Sequence, residues 1–127
     1  MTSKEEFKRR TQDYALLAIA LVEALPRTRA ADVIGRQLLR SATSVGANYR
    51  AACRAKSTAD FIAKMGIVEE EADECLYWLE LLNRSGLCAA AKLAPLVAEG
   101  NELLAMTVSS INTTRQRAAR PRTVPHS

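Results

Sequence analysis

The segment from Phe61 to Leu82 carries the pattern that most constrains the fold. Its apolar residues recur in alternating steps of four and three positions, which is the spacing of a seam between antiparallel helices. The seam consists of Phe61, Met65, Val68, Ala72, Cys75, Leu79 and Leu82. No segment of the chain alternates apolar and polar residues in the manner of a strand. The pattern therefore predicts a long helix that buries one stripe.

Three further segments have helical periodicity and are joined by short connections. The predicted helices cover about 4–25, 28–55 and 57–85, and the fourth begins between 89 and 96, around Pro95, and ends near 112. Pro26 ends the first helix, Thr28 and Ser57 are the expected N-caps of the second and third, and Gly86 follows the third. The apolar residues expected to be buried in the first and fourth helices are Phe7, Tyr14, Leu17, Leu21, Leu25, Leu93, Leu96, Val97, Leu104, Val108 and Ile111.

These elements predict an all-α, up-down-up-down four-helix bundle formed by residues 1–114. A chain of 127 residues with 48% hydrophobic content is large enough for one such core. Residues 115–127 are polar, basic and contain proline, so we expect a disordered tail there.

Two of the helices have more apolar surface than one bundle can bury. The stretch Tyr14–Val22 is apolar on all sides, and three apolar residues lie off the seam of the third helix. Together they would form a patch that a soluble monomer rarely exposes. The pattern favours homo-oligomerisation, although the tail or the loops could cover the surface instead. The predicted interface comprises Leu16, Ile19, Asn48, Ile67, Trp78 and Leu81.

The second helix separates its charge from its apolar residues. At about 100° per residue, five arginines (Arg29, Arg36, Arg40, Arg50 and Arg54) fall within roughly 40° of Arg36. This row could bind nucleic-acid phosphates, because a guanidinium grips two oxygens at once. Alternatively, it could pair with the third helix, since residues 58–84 carry seven acids against two basic residues. The candidate nucleic-acid-binding residues are Arg36, Arg40, Arg50, Arg54 and Lys56.

Several function classes lack their usual residues. The single histidine, His126, lies in the tail, so the bundle has no imidazole base for a serine or cysteine nucleophile and no ligand set of the di-iron type. We therefore expect no enzymatic activity, no metal, no cofactor and no small-molecule substrate. Three cysteines without a paired spacing are typical of a reduced, cytoplasmic protein. The apolar run of nine residues is too short to span a membrane.

Residues 36–49 (RQLLRSATSVGANY) resemble the signature of the four-helix-bundle family of large-subunit rRNA intervening-sequence proteins. That signature is an arginine, a small-residue stretch and then Ser-Ile-Pro-x-Asn-Ile, with Arg40, Ser44 and Asn48 at matching positions here. The stretch 61–86 is similar to a subgroup of the same family. The sequence departs from the pattern at Gly46, where the family has proline, and at Ala51-Ala52, where many members have Glu-Gly.

The resemblance implies a homo-oligomeric, pentameric ring of bundles. The related accessory variability proteins of diversity-generating retroelements bind nucleic acid and a reverse transcriptase. From the residues and the resemblance together, we expect a non-catalytic oligomeric scaffold that binds nucleic acid, RNA more than DNA, through the second helix and the tail. The alternative is a protein–protein adaptor ring in which the arginines are ion-paired and nucleic acid does not bind.

Overall fold

The computed structural model describes residues 2–120 of the chain, and four helices account for most of them. The helices are α1 (Lys4–Glu23), α2 (Arg29–Cys53), α3 (Thr58–Arg84) and α4 (Ala90–Ala119). Within this described part there are no strands. The predicted all-α fold class with four helices is therefore confirmed.

Side-chain caps begin α2 and α3, as the sequence predicts. The hydroxyl of Thr28 accepts a hydrogen bond from the backbone N–H of Ala31 at 3.1 Å, and Ser57 accepts one from Asp60 at 3.0 Å. Each cap satisfies an N–H group that has no partner within its helix. Beyond α3, Gly86 has a φ of 78°, a left-handed conformation that glycine adopts without steric cost. These local signals set where the helices begin and end.

Consecutive helices pack side by side and run antiparallel. Gly46, late in α2, lies against Thr11, early in α1, whereas Gly35, early in α2, lies against Val22 at the end of α1. In residues 2–120 the neighbouring pairs are α1–α2, α2–α3, α3–α4 and α1–α4, and the backbones of the diagonal pairs do not approach each other. The bundle therefore places α1 and α3 at opposite corners.

The seam of α3 is confirmed as the centre of the core. Met65, Val68, Ala72, Cys75, Leu79 and Leu82 are all buried, and Phe61 packs half-buried at the end of the seam. The opposing stripe of α2 includes Leu38, Ala42, Val45 and Tyr49. The ring of Tyr49 stacks on that of Phe7 from α1, with centroids 4.0 Å apart. This stack closes one end of the core.

The first helix differs from its prediction in phase and in length. Its buried stripe is Phe7, Thr11, Tyr14 and Ala18, so Leu17, one position off this stripe, is exposed. The helix ends at Glu23 rather than Leu25. The chain turns at Ala24, and Leu25 then packs beside Gly35 of α2.

The fourth helix also buries a different stripe from the one predicted. Leu93, Leu96 and Ile111 are buried as expected, but Val97 and Val108 are exposed and Leu104 is half-buried. Gly100, Leu103 and Thr107 take those places in the core. The reason is steric: a Cβ at position 100 would lie 2.9 Å from the hydroxyl oxygen of Tyr14 and 3.0 Å from Leu76. Only glycine lets α4 approach α1 and α3 in this register.

The fourth helix begins at Ala90 and is longer than its sequence suggests. Pro95 therefore lies in the second turn, where it cannot donate a hydrogen bond to the preceding turn. At the other end, the prediction of a disordered tail from residue 115 is wrong for 115–119, which continue the helix. Arg120 is extended, as expected for a residue before proline. The rest of the predicted tail, 121–127, lies outside the described residues.

Candidate nucleic-acid interface

Two arginines in the middle of α2 are ion-paired. Arg36 and Arg40, hereafter the middle pair, both have carboxylate partners. Arg36 pairs with Asp32 one turn earlier on its own helix. Arg40 reaches across to α3, where its guanidinium lies 3.2 Å from Glu71 and also pairs with Glu74. The alternative in which the row pairs with the acidic third helix is therefore confirmed for Arg40.

The pair formed by Arg40 and Glu74 is reinforced by a third side chain. The indole N–H of Trp78 donates to the same Glu74 carboxylate at 3.2 Å. The hydrogen bond from Arg40 is the main reason why the pKa of Glu74 lies below its ordinary value, and Glu74 in turn raises the pKa of Arg40. Arg40 is thus engaged in joining α2 to α3 and is not available as an isolated positive charge.

The last two arginines of the row lie in different surroundings. Arg50 and Arg54, hereafter the end pair, are exposed, and no carboxylate in residues 2–120 lies within ion-pair distance of either. They line an open groove of about 460 Å³ between α1 and α2, hereafter the α1–α2 groove. Its other lining residues are Lys8, Thr11, Gln12, Ala15, Thr43, Gly46 and Ala47. No acidic side chain lines this groove.

The floor of the groove is a close contact between its two helices. A Cβ at Gly46 would lie 3.1 Å from the hydroxyl oxygen of Thr11, so the glycine lets α1 and α2 approach. Ala15 and Ala47 extend this floor with small side chains. The side chains of Lys8, Arg50 and Arg54 are long, so they extend above this floor of small residues. The glycine that replaces the family's proline therefore has a packing role here.

The third cation of the groove, Lys8, comes from α1 and was not among the predicted site residues. Its ammonium group lies 3.5 Å from the carboxylate of Glu5, one helical turn earlier on α1. This ion pair is open to solvent and therefore contributes little energy. Lys8 stands apart from the arginine row in sequence, and only the packing of α1 on α2 brings it to the groove. Periodicity within one helix gives no signal for such a residue.

Lys56 lies just beyond the groove, in the connection between α2 and α3. Its side chain is exposed, and its backbone N–H donates to Asp60 at 3.2 Å. The carboxylate of Asp60 also accepts from Lys64 at 2.6 Å, and these bonds lower its pKa. The structure thus places the end pair, Lys8 and Lys56 at the same end of the bundle, away from the middle pair.

The predicted oligomer interface is divided between two corners of the bundle. Leu16 and Ile19 on α1 are 63% and 40% exposed, and Ile67 on α3 is 42% exposed. Trp78 and Leu81 are half-buried, and Tyr77, which was not predicted, is 53% exposed and packs edge-on against Trp78. Since α1 and α3 lie diagonally opposite, the exposed apolar residues fall into two separate patches rather than the single one expected. In the α3 patch the acidic residues of the segment 69–74 lie between Ile67 and Tyr77.

Asn48 is engaged within its own helix. Its side-chain amide donates to the backbone carbonyl of Ser44 at 2.8 Å, and the residue is half-buried. In residues 2–120 it caps no neighbouring helix. The structure therefore gives Asn48 a local bond, and its predicted place in an oligomer interface stays a prediction.

The described residues offer few other reactive groups. Among residues 2–120 no three His, Cys, Asp or Glu side chains converge as metal ligands would. Burial raises the pKa of the Cys75 thiol to about 12, so this thiol stays protonated at neutral pH. In the same range no helix combines the length and apolar content needed to cross a bilayer. The groove cations and the two apolar patches are the surface features that point to a partner.

The fold and these surfaces define a small α-helical bundle protein. A family model described as 23S rRNA-intervening sequence protein matches residues 4–109, and the chain belongs to that family. The chain is also similar to the crystal structure of a protein of unknown function from the S23 ribosomal protein family of Bacteroides thetaiotaomicron VPI-5482. That similarity has a TM-score of 0.80 at 34% identity and covers 86% of this chain and 97% of the other. No curated protein matches the chain.

Proposed function

We propose that this protein is a non-catalytic, homo-oligomeric scaffold of the cytoplasm that binds nucleic acid, RNA more than DNA. The observation that carries the proposal is the α1–α2 groove, where Lys8, Arg50 and Arg54 gather three cations with no acidic lining residue. Phosphate groups are the anions that such a set of exposed guanidinium and ammonium groups fits best. The family's association with rRNA intervening sequences supports RNA as the ligand.

Salt dependence tests the nucleic-acid part of this proposal. We expect a fluorescent RNA strand to bind at low salt, with an affinity that falls steeply as salt rises because counterions are released. The variant Arg50→Ala/Arg54→Ala should weaken binding at least tenfold. Its matched control is Arg27→Ala/Arg29→Ala, which removes two exposed arginines at the opposite end of α2. Salt-independent binding, no binding at low salt, or equal losses in the two variants would refute the role of the groove.

The two apolar patches support a ring rather than a simple dimer. A two-fold dimer buries one self-complementary patch on each subunit, whereas a head-to-tail ring needs two different patches on each. Leu16 with Ile19 on α1, and Ile67 with Tyr77 on α3, provide such a pair at opposite corners. We therefore propose that the α1 patch of one subunit packs on the α3 patch of the next in a closed ring, for which the family resemblance implies five members.

Mixing two interface variants tests this arrangement. Leu16→Glu blocks only the α1 patch and Ile67→Glu only the α3 patch, so each variant alone should sediment as a monomer. A one-to-one mixture should form a heterodimer, because each partner retains the patch that the other needs. A wild-type monomer at micromolar concentration, or a mixture that stays monomeric, would contradict the ring.

The adaptor alternative rests on Arg40, whose guanidinium is held by two carboxylates of α3. An adaptor would capture one defined protein even after nuclease treatment. Capture of the same protein after nuclease treatment, by the wild type and by Arg50→Ala/Arg54→Ala alike, would favour the adaptor function over nucleic-acid binding.

A further inference from the structure

The chemistry of the α1–α2 groove indicates how its ligand is recognised. We infer that the groove binds the sugar–phosphate backbone of a single strand and does not read its bases. This inference rests on the proposed nucleic-acid function and specifies what the site contacts. Three properties of the lining residues support it: their hydrogen-bonding groups, their lack of aromatic rings and the arrangement of their charges.

The hydroxyl groups of the groove are already committed to the protein backbone. Thr11 donates to the carbonyl of Lys8 at 2.7 Å, and Thr43 donates to the carbonyl of Leu39 at 2.8 Å. Distinguishing one base from another needs donors and acceptors directed at the base edge. Among the uncharged lining side chains, Gln12 is the one whose donor and acceptor are both unused. The cations Lys8, Arg50 and Arg54 are donors only, and we assign them to phosphates because the phosphate oxygens are acceptors only, whereas most base edges also present donors.

The groove also has no aromatic surface on which a base could stack. Proteins that bind single strands commonly stack bases on aromatic rings. The nearby rings of Phe7 and Tyr49 are stacked on each other and buried, and no aromatic residue lines the α1–α2 groove. The floor is instead aliphatic and small, with Ala15, Gly46 and Ala47. Bases that pass over it would gain little binding energy.

The charges, in contrast, are arranged along a line. Arg50 and Arg54 are one helical turn apart on one wall, separated by about 6 Å along the axis of α2. Lys8 stands on the opposite wall, contributed by α1. Two guanidinium groups in succession, faced by an ammonium group, suit successive phosphates of a strand that follows the groove. For single strands each phosphate contact adds about 0.7 to the log–log salt slope, so three contacts predict a slope near 2 per subunit.

Strands that differ only in their bases test this inference. The probes are oligo(U), an alternating GU strand, which presents the guanine edge that arginine reads most often, and an abasic ribose–phosphate strand of equal length, measured by fluorescence anisotropy against the full-length protein. We expect their affinities to agree within about threefold, with inorganic polyphosphate competing against all three. Gln12→Ala should leave the three affinities unchanged, whereas Arg50→Gln/Arg54→Gln should reduce them equally, by at least tenfold. Circular dichroism confirms that each variant is folded.

The outcomes separate this inference from the proposed function. Binding that depends on the end pair but prefers one base at least tenfold, or that fails with the abasic strand, would overturn the inference and leave the nucleic-acid function standing. A loss of base preference in Gln12→Ala would have the same meaning. Binding to polyphosphate alone, or to no probe at low salt, would overturn both.

Discussion

The middle pair and the end pair of arginines lie on the same face of α2, yet their surroundings are opposite. Arg40 faces the acidic side of α3 and is held by Glu71 and Glu74. Arg50, ten positions later, faces the groove with α1, which has no acidic lining residue. The comparison teaches that a charged row on one helix takes its role from the neighbouring helices. Arginine joins α2 to α3 at Arg40, whereas at Arg50 it stays available for a ligand.

The largest effect should come from filling the contact beneath the end pair. In Gly46→Val the new side chain would meet Thr11, whose hydroxyl oxygen lies 3.1 Å from the position of the Cβ. Overpacking of this kind lowers the free energy of unfolding by about 1–3 kcal/mol, and denaturant titration measures it. The control is Gly66→Val on α3, where a Cβ has nothing within 4 Å. Equal losses in the two variants would mean that the groove floor is not a close contact.

Removing the carboxylate partners of Arg40 should make this arginine available for RNA binding in addition to the groove cations. In Glu71→Gln/Glu74→Gln the guanidinium loses its two charged partners on α3. We expect RNA affinity to rise by about threefold and the salt slope to steepen by about 0.7, since one more cation becomes available. Anisotropy titrations at several salt concentrations measure both quantities. An unchanged affinity would show that the ion pairs of Arg40 with α3 are not what distinguishes the middle pair from the end pair in RNA binding.

The middle pair should matter more than the end pair for the free energy of unfolding, which is the reverse of their expected importance for RNA binding. Arg40→Gln removes a partly exposed interhelical ion pair and should lower the free energy of unfolding by about 0.5–1 kcal/mol. Arg50→Gln/Arg54→Gln removes exposed charges with no carboxylate partner in residues 2–120 and should change it by less than about 0.5 kcal/mol. Chemical unfolding of both variants measures the difference. The comparison fails if the end-pair variant is the less stable one.

The smallest effect should appear in the pH dependence of folding. Because Arg40 lowers the pKa of Glu74, this carboxylate contributes stability above its ordinary pKa of 4.5, and the contribution is lost as the pH falls through the lowered value. Arg40→Gln should therefore flatten the acid limb of the stability curve by about 0.5 kcal/mol or less. Unfolding measured between pH 5 and pH 3 tests this. The end-pair variant should keep the slope of the wild type.

Most of the fold could be predicted from sequence because local chemistry determines it. The caps at Thr28 and Ser57 and the turn at Gly86 depend on residues within a few positions of each other. The seam of α3 is long and purely apolar, so its phase is unambiguous. The stripe of α4 was predicted less well because Gly100 and Thr107, which are buried, carry no hydrophobic signal.

The candidate site could be predicted only in part. The exposure of Arg50 and Arg54 follows from their position on the helix face, as does that of Arg40. Whether an arginine meets a carboxylate depends on how α3 is rotated, and Lys8 depends on how closely α1 approaches at Gly46. Neither of these is encoded within one helix. The groove is therefore a product of tertiary packing.

The buried phenol of Tyr14 has a consequence for engineering. Its hydroxyl oxygen would lie 2.9 Å from a Cβ at Gly100, and Leu76 of α3 would lie 3.0 Å from the same atom. Replacing Tyr14 with Phe alone therefore leaves the Leu76 contact in place. An alanine at position 100, which favours a helix by about 1 kcal/mol over glycine, would raise thermal tolerance only in a variant that trims both neighbours together.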